Sequence, residues 1–178
     1  DSYFGRTMKL HQNKLYYGTS DSSLEVYDLA LSKVIYRIKS CWASDARPNL
    51  DGRYTMPTGL CIFNDLIYVV DTLDNSIIIM SLSGEFVSRV HLHSILELEA
   101  RVVRIAVSEK YIVITCVEVD AVLLLDIDFN HLKSIVKTGS GPGEFEVPWD
   151  VAFTDDRINI SDLYNHRIQV FDYSLSHI

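Results

Sequence analysis

This sequence is short of most residues that announce a chemistry. It has only 3 cysteines in 178 residues, Cys41, Cys61 and Cys116. An odd, sparse count is not a disulfide framework. Cys61 and Cys116 sit inside apolar, strand-like runs, where a free thiol behaves as a small hydrophobe. That usage points to a reducing, cytoplasm-like compartment. There are 4 prolines, 8 glycines and no low-complexity tract. The longest apolar runs, Ile77 to Met80 and Ala121 to Leu125, are far too short to cross a bilayer, so membrane insertion is not expected. The first residues, Asp1 to Gly5, carry neither a basic start nor an apolar signal core, and no initiator Met precedes them. The expectation is a processed chain or a piece cut from a longer one. Cationic side chains are also scarce: 16 Lys and Arg stand against 24 Asp and Glu, a formal charge of -8. Such a chain is repelled by phosphate backbones unless a local basic patch overrides the balance.

What remains is ordinary globular material, 48% hydrophobic and 22% charged, in a chain long enough for one sizeable core. It reads as strands almost throughout. Arg157 to Ile160 and Arg167 to Phe171 alternate polar and apolar residues, and Leu66 to Val70 and Tyr111 to Val117 are β-branched runs. The best helical stripe, His93 to Val103, is short. Polar clusters such as Asn64-Asp65, Ser83-Gly84 and Asp155-Asp156 punctuate the runs with turn chemistry.

The strands recur. Pro57 and Pro148, Asp71 and Asp162, and Ile77 and Ile168 are each 91 residues apart. A degenerate copy lies halfway between: Leu60 to Ile105 is 45 residues and Ile105 to Val151 is 46. A fourth copy opens the chain at Met8 to Tyr27, and the polar insertion Lys39 to Arg53 absorbs its longer spacing. A period of about 45 residues holding three or four strands is the signature of a propeller blade. The predicted fold is all-β, a β-propeller of about four blades over approximately 5–54, 55–101, 102–146 and 147–178. In the second copy the strands fall at 58–63, 66–70, 76–81 and 86–92.

The segment Gly139-Ser-Gly-Pro-Gly-Glu-Phe-Glu-Val-Pro148, continuing to Asp162-Leu-Tyr-Asn-His-Arg-Ile-Gln-Val-Phe171, resembles the NHL-repeat β-propeller family. The family pattern is a glycine-rich lead, Phe, Pro, an apolar strand, Asp, then Asn-x-Arg-Ile. Residues 56–84 match it moderately, with Asp74 in place of the Asn and Ser76 in place of the Arg. The copies at 103–138 and 8–38 keep only the hydrophobic spacing. The resemblance implies a six-bladed propeller, which needs roughly 260 residues at this period. The expectation is therefore a partial propeller, completed by the rest of a longer chain or by another chain.

In this family the turns between the second and third strands of each blade lie on one face. Those turns are Gly18 to Ser23, Asp71 to Ser76, Cys116 to Ala121 and Asp162 to Arg167. They bring Asp71, Asp74, Glu118, Asp120 and Asp162 toward a candidate binding face, with Asn165, His166 and Arg167 as the family hallmark. Asp71 and Asp162 also suit backbone capping, and their recurrence at one blade position favours that role. Some NHL propellers bind single-stranded RNA with a basic face; the sign here is opposite, so nucleic acid is not the expected partner. His91 and His93 would share one face of a strand, but no third metal ligand is evident nearby. Amidating lyases carry metal-binding histidines on a similar propeller; no such set can be placed here. Gly139 to Gly143 lacks the Lys-Ser/Thr of a phosphate loop. Trp42 and Arg47 on the inserted loop are suitable anchors for a protein. The sequence reading is a non-catalytic scaffold for a protein partner, with no cofactor, no metal and no catalytic residue.

Overall fold

The computed structural model describes residues 7–19, 23–38, 57–92 and 101–178. Among the described residues it contains fifteen strands and no α-helix. They form four antiparallel up-and-down sheets, each built from strands consecutive in sequence. This is the blade architecture of a β-propeller, as the period predicts. Two compact units divide the chain, Asp1–His91 and Leu92–Ile178, with two blades in each.

The first unit begins with β1 (Met8–His11), β2 (Lys14–Gly18), β3 (Leu24–Asp28) and β4 (Lys33–Ile38). Its second blade is β5 (Pro57–Phe63), β6 (Leu66–Asp71), β7 (Ser76–Ser81) and β8 (Phe86–His91), close to the strands read from the second copy. The first hairpin of each blade turns on two left-handed residues, Gln12 and Asn13 (φ 45° and 63°) and Asn64 and Asp65 (φ 47° and 58°). That geometry matches the right-handed twist of the flanking strands. Alternation does the rest. Tyr16, Leu24 and Val26 of one blade form a core with Leu60, Ile67, Val69, Ile78 and Met80 of the other. Tyr36 on β4 donates its hydroxyl to the Leu82 carbonyl, tying the outer strand of one blade to a turn of the next.

The second unit holds β9 (Val102–Val107), β10 (Tyr111–Cys116), β11 (Ala121–Asp126) and β12 (His131–Val136), then β13 (Pro148–Thr154), β14 (Arg157–Asp162) and β15 (Arg167–Phe171). His93 to Val103, the best of the unconvincing helical stripes in the sequence, ends inside a strand, since Val102 begins β9; residues 93–100 lie outside the described part. Ala106, Val113, Val122 and Leu124 of the third blade pack with Phe145, Val151, Ile158, Ile160 and Phe171. Phe145 and Phe171 stack at 5.8 Å. Lys133 Nζ donates to the Ser174 carbonyl at 2.7 Å, repeating the tie that Tyr36 makes in the first unit.

The turn after the third strand of each blade is capped by the last residue of that strand or, in the fourth blade, by the residue that follows it. Asp28 accepts from the Ala30 and Leu31 amides at 2.9 and 3.0 Å, and Asp126 from the Asp128 and Asn130 amides at 3.0 and 2.8 Å. Asp172 accepts from the Ser174 and Ser176 amides, both at 2.8 Å. In the second blade Ser81 does the same for Glu85 at 3.1 Å. Asn130's side-chain amide and backbone N–H hold the Asp126 carboxyl below the ordinary value of 3.8. The Ser176 N–H and Ser174 hydroxyl do so for Asp172.

Two outcomes follow for stability. Phe171 is fully buried, so Phe171→Ala should cost about 3–5 kcal/mol in chemical denaturation. A carboxyl depressed in the folded state stabilises fully above its unfolded value and loses that contribution as pH falls through the folded one. The melting temperature should therefore hold down to about pH 4 and fall below it. The fall should be shallower in Asp126→Asn.

Candidate functional site: the turns between the second and third strands

The three described turns share one backbone solution. Each places a left-handed residue just before the third strand: Asn75 (φ 51°), Asp120 (φ 50°) and His166 (φ 52°). Asn, Asp and His tolerate that region better than other residues with side chains. In the second and fourth blades the strand entering the turn ends in a fully buried aspartate, Asp71 or Asp162. The third blade has Cys116 there, and burial pushes its thiol up to about 12.

A buried carboxylate must be paired or hydrogen-bonded, and the fourth blade does both. Asp162 Oδ1 accepts the Glu146 amide at 2.8 Å. Its Oδ2 accepts from Asn165 Nδ2 at 3.0 Å, Arg167 Nε at 2.9 Å and Gln169 Nε2 at 3.1 Å. The same three side chains then hold the glycine-rich lead. Arg167 donates to the carbonyls of Ser140 (2.6 Å), Gly141 (2.8 Å) and Glu144 (2.8 Å). Asn165 Nδ2 donates to Gly139 O at 2.8 Å. Gln169 Nε2 donates to Glu144 O at 2.6 Å, and its Oε1 accepts the Gly143 amide at 2.9 Å. Gly139 and Gly143 adopt positive φ, 152° and 73°. A side chain at 139 would also collide with Glu144 Oε2. Glu144 closes the loop through the Gly141 amide at 2.8 Å and Lys137 Nζ at 2.7 Å. Lys137 is the main cause holding its carboxyl low.

The other turns solve the same problem with other residues. Asp120 accepts from Thr138 Oγ1 and from the Val147 amide, both at 2.7 Å, bracketing the glycine-rich lead. In the second blade Asp74 accepts from Ser76 Oγ at 2.8 Å and from Arg89 Nη1 at 2.5 Å. His91 Nδ1 lies 3.7 Å from the same oxygen. Arg89 comes from the fourth strand and stands in for the Arg that Ser76 replaces. Thr58 and Thr72 share a buried hydroxyl contact beside Asp71. On the inner strands the buried Arg104 lies 4.9 Å over the Trp149 ring. Desolvation lowers its pKa, while Asp150 opposes that shift.

Of the residues singled out in the sequence, Asp71, Asp74, Asp120, Asp162, Asn165 and Arg167 lie in these turns and are engaged in the hydrogen bonding just described or buried at its base. Glu118 and His166 are exposed, with Glu118 3.7 Å from Arg101. Trp42, Arg47 and His93 lie outside the described residues. Sequence reasoning missed Arg89 and Gln169, whose partners are distant in sequence. It also missed the exposed apolar residues of the turns, Leu73 (50%), Leu163 (43%) and Tyr164 (60%). Leu73 and Tyr164, 91 residues apart, share a blade position, and that spacing was the available signal. Among the described residues no group of three or more His, Cys, Asp or Glu is placed to hold a metal.

The segment containing Phe145, the Asp162 cluster and β15 is matched by the family model for the NHL repeat, over residues 145–171. Residues 145–171 are similar to an NHL repeat. The match covers most of the fourth blade and the end of its lead. No curated protein matches the chain. Among solved structures, the chain is similar to BamB from Moraxella catarrhalis at 14% identity and a TM-score of 0.60, covering 92% of this chain and 41% of that one. It is similar to the Pan2 WD40 domain of Neurospora crassa at 15% identity and a TM-score of 0.65, covering 97% and 50%. A computationally designed protein, Ika8, matches at 13% and 0.57, covering 93% and 44%. At such identities the likeness carries the propeller fold alone. The chain spans half or less of the length of these structures.

Removing one partner of the Asp162 cluster should be severe, because it strands buried polar groups. Asp162→Ala is expected to destabilise by about 3–5 kcal/mol. Glu118→Ala, on an exposed turn, should stay within about 0.5 kcal/mol. Urea denaturation of both variants checks the contrast.

Proposed function

We propose that this chain is a non-catalytic protein-interaction module, part of a propeller completed by further polypeptide. The observation that carries this reading is Tyr164. It stands 60% exposed at the tip of a turn whose backbone is fixed from beneath by Asp162, Asn165 and Arg167. A rigid, exposed aromatic loses little conformational freedom on binding, and aromatic anchors dominate protein interfaces. Leu163 and His166 flank it on the same turn, and Glu118 stands on the turn of the neighbouring blade in the same unit. Leu73 holds the matching place in the first unit.

Asp71, Asp74, Asp120, Asp162, Asn165 and Arg167 serve this surface as positioning residues. They set the turn backbone, and the tips make the contact. Trp42 and Arg47 belong to the same proposal as anchors contributed by the polar insertion Lys39 to Arg53. The charge of -8 favours a protein over a phosphate backbone as the ligand.

The test is a photo-crosslinking amino acid at position 164, with a second version at position 128 on a turn of the other kind as control. Both are expressed in the cells that make the protein. A discrete protein adduct at 164, absent at 128 and weakened in Leu163→Ser, is the expected result. Crosslinking to RNA, or equal adducts at both positions, overturns the reading.

A further inference from the structure

The Tyr164 turn is bonded to the segment that enters β13 along two residues. The Leu163 amide donates to the Val147 carbonyl at 3.0 Å, and the Tyr164 amide donates to the Glu146 carbonyl at 3.1 Å. Two pairs therefore stand side by side: Leu163 with Val147, and Tyr164 with Glu146. The first pair is apolar, with Leu163 exposed and Val147 half-buried. The second sets an exposed phenol ring beside an exposed carboxylate.

Neither pair is explained by the fold. Val147 is β-branched yet adopts φ 62°, a region that Gly, Asn or Asp enters at lower cost. Its side chain lies outside the core formed by Phe145, Val151 and Phe171. Glu146 serves the blade through its amide, which donates to Asp162 Oδ1 at 2.8 Å, and any residue but proline offers that amide. Among the described residues no cation is paired with the Glu146 carboxylate. Lys137 is taken by Glu144 at 2.7 Å, Arg167 by Asp162 at 2.9 Å and Arg101 by Glu118 at 3.7 Å. The four positions 91 residues earlier hold Thr55, Met56, Thr72 and Leu73, so the repeat demands neither the acid nor the ring.

We propose that this surface binds an extended peptide segment of the protein partner through an arginine near an apolar side chain. The proposal rests on the interaction reading above and names the chemistry of the partner. Arginine is the cation that fits, because its planar guanidinium pairs with a carboxylate and lies on an aromatic ring at once. A lysine ammonium is a compact, strongly hydrated point charge and combines the two contacts less well. The same unit already holds one guanidinium on an aromatic ring, Arg104 over Trp149 at 4.9 Å. The apolar residue of the segment covers Leu163 and Val147. Side chains two residues apart on an extended chain point the same way, so one residue separates the arginine from its apolar companion.

The probe is a phage-displayed library of random dodecapeptides, selected on the whole chain. The expected result is enrichment of peptides with Arg two residues from Leu, Ile, Val, Met or Phe. A synthetic copy of the leading peptide should bind Glu146→Lys at least about tenfold more weakly, since like charges then face each other. It should also weaken in Tyr164→Ala. Both side chains are exposed, so these variants keep the fold, verified by unchanged circular dichroism and melting temperature. Peptides that need Tyr164 but carry no arginine, or that bind Glu146→Lys as tightly as wild type, overturn the proposal while leaving the interaction reading intact. Selection of no peptide, or binding undiminished in Tyr164→Ala, overturns it as well. Absence of any protein adduct in crosslinking at position 164, which captures folded partners too, would instead sink the interaction reading.

Discussion

The fourth blade is organised around one buried carboxylate. Asp162 is fully buried, and an ionised group there is tolerated only when donors surround it. Its donors come from the sequence on both sides. The Glu146 amide arrives from the lead before the blade, while Asn165, Arg167 and Gln169 come from the turn and strand after it. Each of those three side chains also holds a carbonyl of the glycine-rich lead. The carboxylate therefore fixes the turn, the third strand and the connection between two blades together. Gly139 is required there by its φ of 152° and its closeness to Glu144.

The same demand is met differently elsewhere, and that variation explains why the repeats look unequal. The second blade keeps the buried Asp71 but has Asp74 and Ser76 where the fourth has Asn165 and Arg167. Its cation comes instead from Arg89, on the fourth strand. The third blade drops the carboxylate for Cys116 and no longer needs a cation there. A thiol buried among apolar neighbours stays neutral, as its raised pKa of about 12 reflects. Sequence identity between these blades is lost while the buried base of each of the three described turns stays either neutral or hydrogen-bonded.

Spacing made the fold legible. A strand pattern repeating every 45 or 46 residues needs only local hydrophobic alternation, and alternation is visible residue by residue. The Asp caps at Asp28, Asp126 and Asp172 were legible in principle, since they recur at one blade position, but they do not stand out in a chain with 24 acidic residues. The turns were harder. Composition alone painted them as an acidic face. In the folded chain Asp71 and Asp162 are buried, and Asp74 and Asp120 are spent on internal donors. Arg89 lies 15 residues from Asp74 and Gln169 lies 25 from Glu144, so neither pairing follows from local pattern. Trp42 and Arg47 lie outside the described residues.

A turn held by its own polar groups frees its tip from any structural duty. Positions 71, 74 to 76, 162 and 165 to 167 are constrained through their side chains or by left-handed backbone, whereas Leu163 and Tyr164 are held only through their amides, which donate to the Val147 and Glu146 carbonyls at 3.0 and 3.1 Å. The matched tip residues are accordingly dissimilar, Leu73, Glu118 and Tyr164. Exposed Leu and Tyr at such places are not required by the fold, since a polar residue would satisfy the same turn. Their presence is therefore better accounted for by contact with something else than by folding.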